Sequence, residues 1–166
     1  PVIAAVHGHC LGGGLQIALA ADFRITAPDA TWSVLEARWG IIPDMSGVHA
    51  LSQLVGIDVA KKLTMTAEKV SGVRAQEIGL ATEVADDPLA AARGLADDLA
   101  TRSPDALASA KRLFDDTWHL GPRRTFVRER IEQLGLLFGP NAQRARVANA
   151  ERRAPEYVPR GRKLVR

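Results

Sequence analysis

The sequence predicts a mixed α/β protein, with a layered front and an all-helical back. Three observations carry this. The opening reads strand, glycine turn, helix, strand, which is one α/β unit. The second half holds apolar residues at helical spacing on successive segments. Proline follows a capping or turn residue at four places, Asp87-Pro88, Ser103-Pro104, Gly121-Pro122 and Gly139-Pro140, where helices are expected to start.

Val2 to Val6 is a short apolar run bounded by Pro1 and Gly8, as a buried strand requires. Gly12-Gly13-Gly14 makes the turn, Leu15 to Ala21 is rich in the helix formers Ala and Leu, and Phe23 to Ala27 is a second strand. Thr31 to Val34 is a short extended piece. Gly40 to Gly47 contains Pro43, Asp44 and Ser46 and reads as a loop. Beyond it the pattern is helical. Leu107, Ala110, Phe114 and Trp118 share one helix face, and Val127, Ile131, Leu134 and Phe138 share another. The tail after Pro155 has few apolar residues and is expected to be mobile unless a partner orders it.

Composition narrows the class. The chain has 166 residues, 46% of them apolar and 25% charged, ordinary for one soluble domain with a sizeable core. A single cysteine, Cys10, excludes an internal disulfide and a cysteine zinc cluster, and makes a cytoplasmic setting the default. His7, His9, His49 and His119 show no metal-ligand spacing and read as structural. No apolar run spans a bilayer. Pro1 to Ala21 is apolar, but lacks a positive leading segment and is interrupted by Gln16, unlike a signal peptide. A chain that opens on proline reads as the back part of a longer one. Charge is uneven: residues 1–118 hold 10 basic and 15 acidic side chains, residues 119–166 hold 12 and 4. A basic end suits a phosphate-bearing partner.

Three readings of the glycine turn compete. It can be a tight turn that allows close packing. It can belong to a dinucleotide fold, but that needs Gly-x-Gly-x-x-Gly and an acid closing the second strand. Here Gly8-His9-Cys10-Leu11-Gly12-Gly13-Gly14 and Ile25-Thr26-Ala27 stand instead. Or it can present free N–H groups at a helix start to an oxygen that becomes negative during acyl chemistry.

Pro1-Val2-Ile3-Ala4-Ala5-Val6-His7-Gly8, Leu11-Gly12-Gly13-Gly14 and Ala20-Ala21-Asp22 together resemble the core signature of the crotonase (enoyl-CoA hydratase/isomerase) superfamily. Glu36, the Gly40 to Pro43 loop, Ser71 to Leu80 and Glu151-Arg152-Arg153-Ala154-Pro155 extend the resemblance over nearly the whole chain. It implies a ClpP/crotonase-like layered β-β-α superhelix. Residues 1–85 would form a partial core, and 86–166 a helical trimerisation and CoA-contacting region, with the N-terminal part of the fold absent. It also implies an acyl-CoA thioester substrate handled through an enolate. No separate cofactor is implied, since coenzyme A is part of the substrate. A homotrimer or pair of trimers is expected, with neither nucleic acid nor membrane as partner.

By the same resemblance, Gly13 N–H is one of two donors to the thioester oxygen, flanked by Gly12 and Gly14. One such donor is typically worth roughly 3–4 kcal/mol. Family hydratases use two glutamates twenty residues apart. The later one matches Glu36, but the earlier position is Gln16, an amide that can orient a water or carbonyl and cannot take up a proton. Double-bond isomerisation, which one base can perform, is therefore preferred. Hydration of 2-enoyl-CoA is the rival, and a non-catalytic acyl-CoA-binding or oligomerising fragment is the alternative from another class. Asp44 matches the second acid of a diene-isomerising subgroup, or else caps a helix starting near Ser46. Without the resemblance, Glu36 would read as a surface carboxylate. Cys10 reads as a small packed residue, and Trp32 and Trp39 as core or as walls of an acyl tunnel. In the tail, Arg160 and Lys163 are the expected CoA phosphate contacts. A solvated end and a nucleic-acid contact are the other readings.

Overall fold

The computed structural model describes residues 1–160 and divides the chain into two compact units, Pro1–Leu95 and the residues from Ala96 onward. The division falls within the helix Pro88–Ala100, ten residues beyond the boundary expected from the sequence.

In the first unit, β1 (Ile3–Val6), β3 (Phe23–Thr26) and β6 (Glu83–Val84) form one parallel sheet in the order β1-β3-β6. A second sheet has the order β2-β4-β5, from β2 (His9–Leu11), β4 (Thr31–Ser33) and β5 (Val70–Ser71). β2 and β4 run parallel, and β5 is antiparallel to β4. Strand β2 was not expected. Three residues between glycines carry no periodicity of their own, and only the pairing of Cys10 with Trp32 and Leu11 with Ser33 makes them a strand.

Helices α1 (Gly13–Leu19), α2 (Gly47–Leu54), α3 (Ile57–Thr66) and α4 (Gly72–Glu77) complete the unit together with a 3-10 turn at Leu35–Trp39. Leu15, Leu51 and Leu63 of these helices meet Trp32 of β4, Val34 and Leu80 in one core. Trp32 is wholly enclosed, and its Nε1–H donates to Thr26 Oγ1 at 2.9 Å, so its ring fills the core without stranding a polar atom. Trp39 departs from the core expectation: it is 74% exposed. Arg24 is buried in β3, donating to the Leu80 and Ala21 carbonyls at 2.8 and 2.7 Å. Burial draws its pKa down, and the nearby Asp22 opposes that shift.

The second unit contains α6 (Pro104–Thr117), α7 (Pro122–Leu137) and α8 (Pro140–Ala150), and α5 (Pro88–Ala100) leads into it. The proline starts are where the sequence places them. Asp87 Oδ1 accepts from Ala90 N–H at 2.9 Å, Ser103 caps α6, and Gly121 and Gly139 precede the prolines of α7 and α8. The two expected apolar faces exist but are largely uncovered: Phe114, Trp118, Val127, Ile131, Leu134 and Phe138 are all exposed. The tail to Arg160 is better held than its composition suggests. Asn141 is buried and ties Val158 by two hydrogen bonds, at 2.9 and 3.0 Å.

Candidate active site

The parallel pair β2-β4 delivers its two following segments side by side. Leu11 pairs with Ser33, so the chain leaves β2 into Gly12 and leaves β4 into the 3-10 turn at the same end of the sheet. The carboxyl ends of parallel strands are where ligands bind in open α/β folds. Gly12 N–H donates to the Ser33 carbonyl at 3.0 Å, closing the junction. Gly12 has φ 51° and ψ −122°, a conformation that L side chains rarely adopt.

Helix α1 then starts on Gly13. Its first internal bond runs from Gln16 N–H to the Gly12 carbonyl at 3.0 Å, so the N–H groups of Gly13 and Gly14 precede the ladder on an exposed turn. The side chain of Met45 lies beside Gly13, its sulfur 3.7 Å from where a Cβ would be.

Glu36 is not a surface residue. It is 6% exposed, and its carboxyl packs against Gly12, with Oε1 and Oε2 at 3.6 and 3.9 Å from the Cβ position there. Gln16 is 4% exposed, and its Nε2 donates to Glu36 Oε1 at 2.6 Å. The other oxygen, Glu36 Oε2, is buried with no hydrogen-bond partner among the described residues. Such an orphan is rare in a folded interior and calls for an explanation, of which a catalytic role is one.

The remaining expectations divide. Asp44 is exposed in the turn before α2 and makes no hydrogen bond among the described residues. The cap of α2 is Ser46, whose own side chain makes no capping bond, and the side chain that reaches the helix start is Gln16, so the capping reading of Asp44 is corrected. Gln16 was expected to orient a water or substrate carbonyl, but its oxygen is already committed to main-chain N–H groups of Met45 and Gly47, at 2.7 and 3.2 Å. Those two amides are the site residues that sequence reasoning missed. The available signal was Gly47 after Pro43, since only a residue without Cβ fits 2.7 Å from Gln16 Oε1 and 2.9 Å from Pro43 Cβ.

Cys10 is buried, and its thiol pKa is pushed up to about 11 by burial, which suits packing and not nucleophilic attack. The four histidines, expected to be structural, all sit on the surface, and among the described residues no cluster could hold a metal. Among those residues, no helix is long and apolar enough to cross a membrane. Arg160 lies 3.9 Å from Asp105 in the second unit, and Lys163 falls outside the described residues.

The Gly12 conformation is testable. Gly12→Ala adds a methyl that meets Glu36 only at ordinary contact distance, so its cost is backbone strain, about 1–3 kcal/mol. The expected result is a melting temperature lowered by about 2–4 °C per kcal/mol, measured by thermal denaturation.

A family model for enoyl-CoA hydratase/isomerase matches residues 1–159. Carnitinyl-CoA dehydratase from Proteus mirabilis is 33% identical over 163 residues, covering 95% of this chain and 62% of that protein. Among solved structures, an enoyl-CoA hydratase from Polaromonas sp. JS666 has a TM-score of 0.90 at 32% identity, over 95% of this chain and 62% of that one. An enoyl-CoA hydratase from Bacillus anthracis has a TM-score of 0.92 at 31% identity, over the same shares, 95% and 62%. The chain thus spans 62% of the length of the curated relative it matches.

Proposed function

The chain belongs to the enoyl-CoA hydratase/isomerase family and has its α/β crotonase fold, and on that premise we propose that it carries the acid–base part of a site for acyl-CoA thioesters. One observation carries the reading: a buried carboxylate, Glu36, with one oxygen held by Gln16 and the other unpartnered among the described residues, beside the glycine turn that presents Gly13 N–H. Glu36 Oε2 takes a proton from the carbon next to the thioester. The electron pair of that C–H bond moves onto the thioester oxygen, and Gly13 N–H is one donor to it.

Gln16 cannot take up a proton, so a single carboxylate handles every transfer. That suits double-bond migration. The proton lifted from C2 of a 3-enoyl-CoA returns at C4, giving the 2-enoyl isomer with no atom gained or lost. Asp44 is exposed, and the reading gives it no proton to move. Addition or removal of water is the second reading, favoured by relatives that are named carnitinyl-CoA dehydratase. Arg160 and Lys163 are proposed to face the CoA phosphates, and the uncovered apolar helix faces to join copies into trimers.

The test is to incubate the full-length protein separately with 3-enoyl-CoA and 2-enoyl-CoA. Bond migration faster than water addition is the expected result. Rapid water addition without migration would replace the first reading by the second. Binding of both thioesters with turnover of neither would point to a non-catalytic acyl-CoA-binding protein.

A further inference from the structure

The side-chain oxygen of Gln16 is saturated in a way that its type alone does not dictate. A carboxamide oxygen has two lone pairs, and both are used, by Met45 N–H at 2.7 Å and Gly47 N–H at 3.2 Å. The NH₂ end donates to Glu36 Oε1 at 2.6 Å. This network fixes which end is which. Main-chain N–H groups require the oxygen, and the carboxylate requires the nitrogen, so the two ends agree on one orientation. Gln16 therefore has no acceptor left for a water or a substrate.

The amide joins three separate pieces of chain: α1, the 3-10 turn that bears Glu36, and the turn that enters α2. That last turn is shaped to reach it. Ser46 stands in the left-handed region at φ 64°, a cost for a residue with a Cβ, and Gly47 has no side chain to block the approach. Strain of this kind persists only where surrounding bonds hold it, and the bonds here converge on one oxygen.

Resting on the reading of Glu36 as the base, we propose that Gln16 is a positioning residue, a strut that ties the Met45–Gly47 turn to Glu36 and leaves Oε2 as the oxygen that reacts. The strut does two separable things. Its oxygen anchors the turn, and its nitrogen occupies Oε1 and fixes the carboxyl plane.

Two substitutions separate these. Gln16→Met has similar length and neither strong donor nor acceptor, so it loses both functions. Gln16→Glu keeps an oxygen for the two amides and replaces the amide donor by a second carboxyl beside Glu36. The readouts are deuterium incorporation from D₂O at the carbon next to the thioester of a saturated acyl-CoA, and amide hydrogen exchange at Met45 and Gly47. For Gln16→Met, kcat of incorporation is expected to fall about 100-fold, the scale of a misplaced catalytic group, with KM changed less than about threefold. Amide exchange should rise about tenfold, the equivalent of one lost hydrogen bond. For Gln16→Glu, both amides should stay protected, because an oxygen still accepts from them. Wild-type incorporation in Gln16→Met, or unchanged amide exchange in it, overturns the proposal. If Gln16→Met fails to fold, Gln16→Glu decides: loss of amide protection overturns it. If the unaltered protein incorporates no deuterium, it is the reading of Glu36 as base that fails. The amide exchange still reports whether Gln16 holds the turn, and unchanged exchange in Gln16→Met would end the strut as well.

Discussion

Glu36→Gln is expected to lower turnover of an acyl-CoA thioester by about 10²–10⁴-fold, the usual contribution of a positioned acid–base group, while leaving stability unchanged or slightly raised. The substitution keeps the shape of the side chain. A carbonyl at the Oε1 position still accepts from Gln16 Nε2. At the Oε2 position an amide nitrogen replaces a buried carboxylate oxygen that has no partner among the described residues. An unpaired neutral amide costs less to bury than an unpaired carboxylate. Loss of activity with equal or higher melting temperature is the signature of a group retained for chemistry at the expense of stability. Kinetics and thermal denaturation on the same preparation check it. A substantial fall in melting temperature would instead make Glu36 a structural residue, and turnover at the unaltered rate would remove it from the mechanism.

The second large effect is expected at Gly72. A Cβ at this position would stand 1.9 Å from the carbonyl oxygen of Ala27 and 2.9 Å from Thr26 Oγ1. Neither neighbour can yield cheaply. Ala27 is main chain, and its carbonyl also accepts from Ala30 N–H and from Thr26 Oγ1–H, both at 3.2 Å. Thr26 Oγ1 in turn accepts from the enclosed Trp32. Gly72→Ala must therefore push α4 away from the end of β3 and disturb the core polar chain. We expect a loss of about 3 kcal/mol, at the upper end for overpacking, and a melting temperature lower by about 6–12 °C. Thermal denaturation measures it. A change within about 1 °C would mean that α4 moves freely away from β3, contrary to the packing described.

Gly72 also illustrates how a pattern and its cause come from different places. The run Ser71 to Leu80 was legible as a family-like motif, but nothing in its composition says why each residue is there. In the fold, Ser71 Oγ accepts from Arg74 N–H at 3.1 Å and caps α4. Gly72 lets the helix touch β3, and Gly79 turns the chain at φ 83°. The cap is local chemistry and could be read from sequence. The close contact could not, because the partner atom lies some 45 residues away along the chain.

The open helix faces of the second unit teach the converse. Spacing placed Val127, Ile131, Leu134 and Phe138 on one face, and α7 carries the first three with Phe138 as its C-cap, yet all four are exposed. Periodicity reports which residues share a face. It says nothing about whether the same chain covers that face, since burial is a property of neighbours and not of spacing.

Local signals in the sequence determined the strand–glycine–helix opening, the proline helix starts and, through the resemblance, the pairing of a glycine turn with Glu36. These are short-range matters: backbone freedom at glycine, a fixed φ at proline, a capping oxygen three residues from its N–H. The tertiary structure alone decided that β2 is a strand, that Glu36 is buried with one oxygen unmet among the described residues, and that Gln16 faces it while holding two amides of a distant turn. The physical reason is common to all three. Each is a relation between atoms that meet only when the parallel β2-β4 pair and the α2 turn come together, and a one-dimensional pattern carries no record of that meeting.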